Sequence, residues 1–140
     1  MGNIEHLFIE EKNFVLTVAE GEISDDKFLK HISILNESPK LRENYRGIVD
    51  CRNVSPVKTP SSEAIFKAGH FEGGSAKPRK VAVLAENELI YGLVRMYDAY
   101  TFHAEMEVFT DLESAIEWLK VDELSEEIKE FYSHLNSASA

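Results

Sequence analysis

In the run Lys80-Val81-Ala82-Val83-Leu84-Ala85 the five residues after the lysine are apolar at consecutive positions rather than at every second one. Successive side chains of a strand point to opposite faces, so a run of this kind must be covered on both sides, as an inner strand of a layered α/β sheet is. Neighbours for it are available along the chain. Ile4 to Ile9 and Phe14 to Val18 are β-rich runs separated by Glu10-Glu11-Lys12-Asn13, a polar stretch short enough for an antiparallel hairpin. Tyr45 to Val54 reads as a β-branched strand whose far end turns polar, and Glu107-Val108-Phe109 as a last strand.

Helical spacing fills the intervals. Gly21 breaks the second strand, and Ser24 stands as an N-cap with Asp25 and Asp26 in the following turn, facing the positive end of the helix dipole. Phe28, Leu29, Ile32 and Leu35 then predict a helix over about 25–36, ended by Pro39. Ser55-Pro56-Val57-Lys58-Thr59-Pro60 is a loop, because its two prolines remove donors and fix φ. Ser61 or Ser62 caps a second helix reaching about Phe71, with Gly69 near its weak end, and Glu72 to Pro78 is loop again. Asn87 caps a third helix through Leu89, Leu93, Met96, Tyr97 and Tyr100. Gly92 inside it costs about 1 kcal/mol relative to Ala, which leads us to expect close packing against a strand there. Thr110-Asp111-Leu112-Glu113 reads as a capping box for a helix carrying Ala115, Ile116, Trp118 and Leu119. Leu124, Ile128, Phe131, Tyr132 and Leu135 mark a final amphipathic helix.

The resulting order, β-β-α-β-α-β-α-β-α-α, implies parallel pairing with right-handed crossovers after the opening hairpin. If successive strands are spatial neighbours, the crossover helices share one face of the sheet. The other face then needs cover, from the C-terminal helix or from a second copy in a homodimer. A chain of 140 residues is about one domain. We expect that domain over residues 1–121, with residues 122–140 forming a helix and tail that pack on it or on a second subunit.

Twenty-five acidic against 15 basic residues give a net charge of -10, which opposes binding to nucleic acid or to an anionic membrane surface. The charge is uneven: residues 38–80 net +5, whereas residues 1–37 net -5 and residues 105–140 net -8. The basic middle suggests a locally positive surface for an anion or an acidic partner. Cys51 is the single cysteine, so an internal disulfide is ruled out and a reducing compartment fits. The first residues lack a basic region followed by an apolar stretch, and no run has the length of a bilayer span, so the expected location is cytoplasmic.

Two stretches carry a family resemblance. Val81 to Tyr97 places Tyr91-Gly92-Leu93-Val94-Arg95-Met96 on the helix after the apolar strand, and Val108-Phe109-Thr110-Asp111-Leu112-Glu113-Ser114-Ala115-Ile116-Glu117-Trp118-Leu119 closes the domain. Together they resemble STAS-like proteins of the SpoIIAA-like, anti-sigma-factor-antagonist type, over roughly residues 4–120. The resemblance implies an α/β fold with sequential, mostly parallel strands and crossover helices on one face. It also implies a small cytosolic switch that binds a protein partner and is controlled by phosphorylation of a serine at the start of the second helix. Ser61 and Ser62 occupy that place here, with Pro60 where the better-known members carry an Asp.

In open parallel sheets, ligands lie beyond the carboxyl ends of the strands, where helix N-termini present unpaired N–H groups. That edge is expected to gather Asp50, Arg52 and Asn53 from one strand end, Ser61 and Ser62 from one helix start, and Asn87, Tyr91 and Arg95 from another. Two helix starts and two arginines suit a phosphate, a carboxylate or an acidic loop of a partner. Against this stands the reading in which the caps serve the helices alone and Arg95 pairs with Asp50 or Asp98. The five histidines lie in five separate segments without metal-ligand spacing, and Cys51 reads as an inert buried thiol. No nucleophile, phosphate-loop or dinucleotide motif occurs. The expected function is therefore a non-enzymatic, cofactor-free module that binds a protein partner, in anti-sigma-type signalling. The alternative is a binder of a small anionic or lipid-like, apolar ligand in a pocket lined by Tyr91, Tyr97 and Phe66.

Overall fold

A computed structural model describes residues 2–71, 77–101 and 104–139. Its strands are β1 (Asn3–Ile9), β2 (Phe14–Gly21), β3 (Tyr45–Val54), β4 (Arg79–Leu84) and β5 (Ala104–Phe109). Helices α1 (Asp25–Glu37), α2 (Ser62–Phe71) and α3 (Glu88–Tyr100) connect β2 through β5, and α4 (Leu112–Leu119) and α5 (Ser125–Ser139) follow. The sheet runs β1-β2-β3-β4-β5, antiparallel between β1 and β2 and parallel thereafter. The loop expected at 72–78 and the segment holding His103 lie largely or wholly outside the described residues.

Side-chain alternation divides the sheet into two unlike faces. One carries Phe14, Leu16, Ile48 and Leu84, all without solvent exposure, against Ile116 and Leu119 of α4 and Leu124 and Ile128 at the start of the C-terminal helical region. Full burial of such side chains contributes about 1.5–3 kcal/mol each. This layer supplies the cover that the second face needed, so a second copy is not required for it. The chain's own last helix packs there. On the opposite face, α1, α2 and α3 lie over Val15, Thr17, Ala19, Val49, Cys51 and Val83.

Local chemistry accounts for the element ends. Ser24 caps α1 by accepting from the Lys27 N–H, and Asn87 caps α3 by accepting from Leu89 and Ile90. Ser61 is the cap of α2, its hydroxyl accepting from the Ala64 N–H at 3.1 Å. The helix after β5 is capped by Asp111, which accepts from Ser114 N–H at 2.8 Å, one residue later than the Thr110 box anticipated. Gly92 is also a correction: it is exposed, and a Cβ there would meet nothing within 4 Å. The close approach is at Gly69, where a Cβ would lie 2.5 Å from the Tyr100 Cβ, so it is α2 that needs a glycine to seat against α3.

Candidate functional site

The helix-facing side of the sheet is built from small or β-branched side chains, whereas the α4–α5 side is built from Phe, Leu and Ile. Short side chains on the floor leave space beneath the helices. An apolar chamber of about 130 Å³ occupies it. Thr17, Val49, Cys51, Val83 and Met106 form the floor, and Phe28, His31, Ile65, Leu93 and Tyr97 the roof. The lining continues through Ile23, Val54, Pro60 and Ile90 to the edge where α1, α2 and α3 begin. The expected pocket lining is met in part: Tyr97 lines the chamber, while Tyr91 and Phe66 are 46% and 47% exposed.

One part of the chamber wall is polar. Thr17 is 1% exposed and its Oγ1 has no hydrogen-bond partner among the described residues. Directly opposite it on β1 is His6, whose Nε2 lies 2.9 Å from Nδ1 of His31 on α1, with the rings stacked at 5.1 Å. Burial, with a smaller contribution from the neighbouring His6, pushes the His31 pKa down to about 3. Burial lowers His6 as well, against an upward pull from Glu5. Both rings are therefore neutral at pH 7, one donating its N–H to the other's lone pair. No third metal-ligating side chain joins them among the described residues. Neither Thr17 nor this histidine pair figured among the sequence candidates; the two histidines are 25 positions apart, and only strand register and the α1 crossover bring them together. Cys51 faces the same chamber, its thiol pushed up to about 12 by burial and secondarily by Asp50.

The residues expected to share one rim fall on two faces of the sheet. Asp50 and Arg52 project toward α5, where the Arg52 guanidinium grips the Asp50 carboxylate through Nε at 3.0 Å and Nη2 at 2.8 Å. The Tyr132 hydroxyl on α5 donates to the same carboxylate at 2.7 Å. Burial alone would raise the Asp50 pKa; the Arg52 and Tyr132 hydrogen bonds outweigh it and hold the group below its ordinary value. Asn53, beside them, is exposed.

On the helix side, Ser61 donates its N–H and hydroxyl to Asp25 of α1 at 2.7 and 2.8 Å. A carboxylate thus stands beside the serine, supplied by α1 rather than by the preceding residue, which is Pro60. These bonds hold Asp25 below the usual carboxylate range. Ser62, Tyr91 and Arg95 are exposed, and Asn87 is occupied as a cap. Among the described residues the ion pairs are Arg52–Asp50 and Lys67–Glu63, so the pairings considered for Arg95 do not occur.

A sequential five-stranded sheet opened by an antiparallel strand, with three crossover helices roofing one face, defines a STAS-like α/β domain. The chain belongs to the SpoIIAA-like family, whose model matches residues 15–120. Among solved structures it is similar to an uncharacterized protein of the DUF3478 family with a SpoIIAA-like fold from Shewanella loihica PV-4. That likeness has a TM-score of 0.56 and 18% identity, covering 84% of this chain and 93% of the other. No curated protein matches the chain in sequence. No helix among the described residues is long and apolar enough to cross a membrane.

Proposed function

We propose that this chain is a non-enzymatic binding module that holds a small, mainly apolar ligand in the chamber between the sheet and α1–α3. The observation that carries the reading is the chamber itself: a partly open space of about 130 Å³ walled almost wholly by apolar side chains, in a domain whose opposite face buries Phe14, Leu16, Ile48 and Leu84 completely. Apolar cavities of roughly 150 Å³ in proteins stay dry and admit benzene. Methyl-resolved NMR during a toluene titration tests it. Methyls of Ile23, Val49, Ile65, Val83 and Ile90 should shift while those of Leu119, Leu124 and Ile128 stay still. Shifts confined to the α4–α5 layer, or none, would sink the proposal.

A second reading keeps the protein partner, and one observation favours it. Leu89 and Tyr91 at the start of α3 are 49% and 46% exposed, and Arg95, one turn beyond Tyr91 on the same helix, is exposed as well. Exposed apolar groups flanked by an exposed guanidinium suit a protein surface with acidic character, in signalling of the anti-sigma type. Ser62 is the more accessible phosphorylation candidate, because the Ser61 hydroxyl is engaged by Asp25. A partner recovered from native cells should be lost on Leu89→Glu and Arg95→Glu, and mass spectrometry should find phosphate on Ser62 before Ser61. A partner indifferent to both substitutions would defeat this second reading.

A further inference from the structure

The Thr17 hydroxyl is an unusual object for a folded protein. Buried polar groups nearly always have a hydrogen-bond partner, and one without a partner keeps the full cost of its desolvation. Thr17 is 1% exposed, lines the chamber, and its Oγ1 has no hydrogen-bond partner among the described residues. A lone water is a poor remedy, since an interior water needs two to four polar partners and the chamber lining is mostly apolar. His31 also lines the chamber but spends Nδ1 on His6. A molecule that brings a single hydrogen-bonding group to Thr17, and hydrocarbon to the rest of the wall, satisfies that hydroxyl.

Two further observations narrow the chemistry. No Asp, Glu, Lys or Arg lines the chamber among the described residues, so an ionised carboxylate or ammonium would enter without a counter-charge, which is strongly unfavourable. The volume of about 130 Å³ suits one six-membered ring. We propose that the chamber selects an uncharged, ring-sized molecule bearing one hydroxyl, a phenol in the simplest case, with the Thr17 hydroxyl as its hydrogen-bond partner. This rests on the chamber being the binding site and adds the class of molecule it prefers. A hydroxyl is favoured over a carbonyl because it can either donate to or accept from the Thr17 hydroxyl.

The test is isothermal titration calorimetry of the whole chain with phenol, toluene and benzoate, on wild type, Thr17→Val and Thr17→Ser. Valine keeps the shape of threonine and removes the hydroxyl; serine keeps the hydroxyl. The ratio of phenol to toluene affinity should fall about threefold to tenfold in Thr17→Val, the range of one neutral buried hydrogen bond, and should be retained in Thr17→Ser. Benzoate should bind the wild type more weakly than phenol. Toluene binding with a ratio that does not change in Thr17→Val overturns the hydroxyl preference while the chamber remains a binding site. Benzoate binding as tightly as phenol overturns the requirement for an uncharged ligand, without recourse to any variant. Failure of both toluene and phenol to bind the wild type overturns the chamber reading and this one with it.

Discussion

Replacing Tyr132 by Phe removes one oxygen atom and asks how the C-terminal helix is held. The hydroxyl donates at 2.7 Å to a carboxylate that is 3% exposed. A hydrogen bond to a charged group contributes about 1.5–3 kcal/mol. The loss should fall in the lower part of that range, because Asp50 keeps both contacts with the Arg52 guanidinium and is not left as an unpaired buried charge. About 2 kcal/mol corresponds to a melting temperature lower by roughly 5–10 °C for a domain of this size. Urea unfolding should show a lower midpoint with an unchanged slope. The effect must also depend on pH in one direction. Asp50 has a folded pKa below its unfolded value, so its stabilising contribution is complete above the unfolded pKa and is lost as pH falls through the folded one. The gap between Tyr132→Phe and wild type should therefore be widest near neutrality and narrow in acid. In a cycle with Asp50→Asn, the Tyr132 substitution should cost less than it does alone. A variant within about 0.5 kcal/mol of wild type at pH 7, or a loss that does not vary with pH, would show that Asp50 is not what anchors α5.

Other substitutions probe the rest of the architecture. Ile128→Ala should cost about 2–5 kcal/mol by denaturant unfolding, since Ile128 has no exposure and sits under Leu16 and Ile48; a near-neutral result would mean that α5 is an appendage. Gly92→Ala should stabilise by about 0.5–1 kcal/mol in thermal unfolding, because the added methyl meets no atom and the helix gains propensity. Gly69→Ala should destabilise, because its Cβ would overlap Tyr100; equal signs for the two alanines would contradict the α2–α3 seating. The folded protein at pH 8 should alkylate with iodoacetamide at least about a hundredfold more slowly than in urea, since a thiol with its pKa near 12 is almost entirely protonated there. Comparable rates in the two states would show an open thiol.

Much of the fold is legible one element at a time. The unbroken apolar run at 81–85 announces a strand covered on both faces, and β4 is paired on both edges in the middle of the layered region. The caps Ser24 and Asn87 are local events, visible because a short polar side chain needs only the N–H groups two or three residues away. The errors arise where three dimensions enter. Gly92 and Gly69 look alike in sequence, yet only Gly69 lies beneath another helix. Asp50 and Ser61 share a place at the strand ends in sequence, although strand alternation sends Asp50 to the face opposite the helix that Ser61 caps. A signal for the chamber was present: within β2 and β3 the alternate positions differ in size, Thr17, Ala19, Val49 and Cys51 against Phe14, Leu16 and Ile48. Small residues in one register mean space only if the layer above does not fill it, which no periodicity reveals.

The sequence by itself determined the elements, their order, the family and the two-sided burial of the inner strand, because each follows from side-chain periodicity and backbone chemistry within about ten residues. The tertiary structure alone decided that α4 and α5 close the second face, that Tyr132 reaches Asp50 across 82 residues, and that His6 meets His31 and lies opposite Thr17, with Thr17 and His31 both lining an apolar space. These depend on strand register and on how far each helix stands off the sheet, and both are set by the packing of the whole chain rather than by any segment of it.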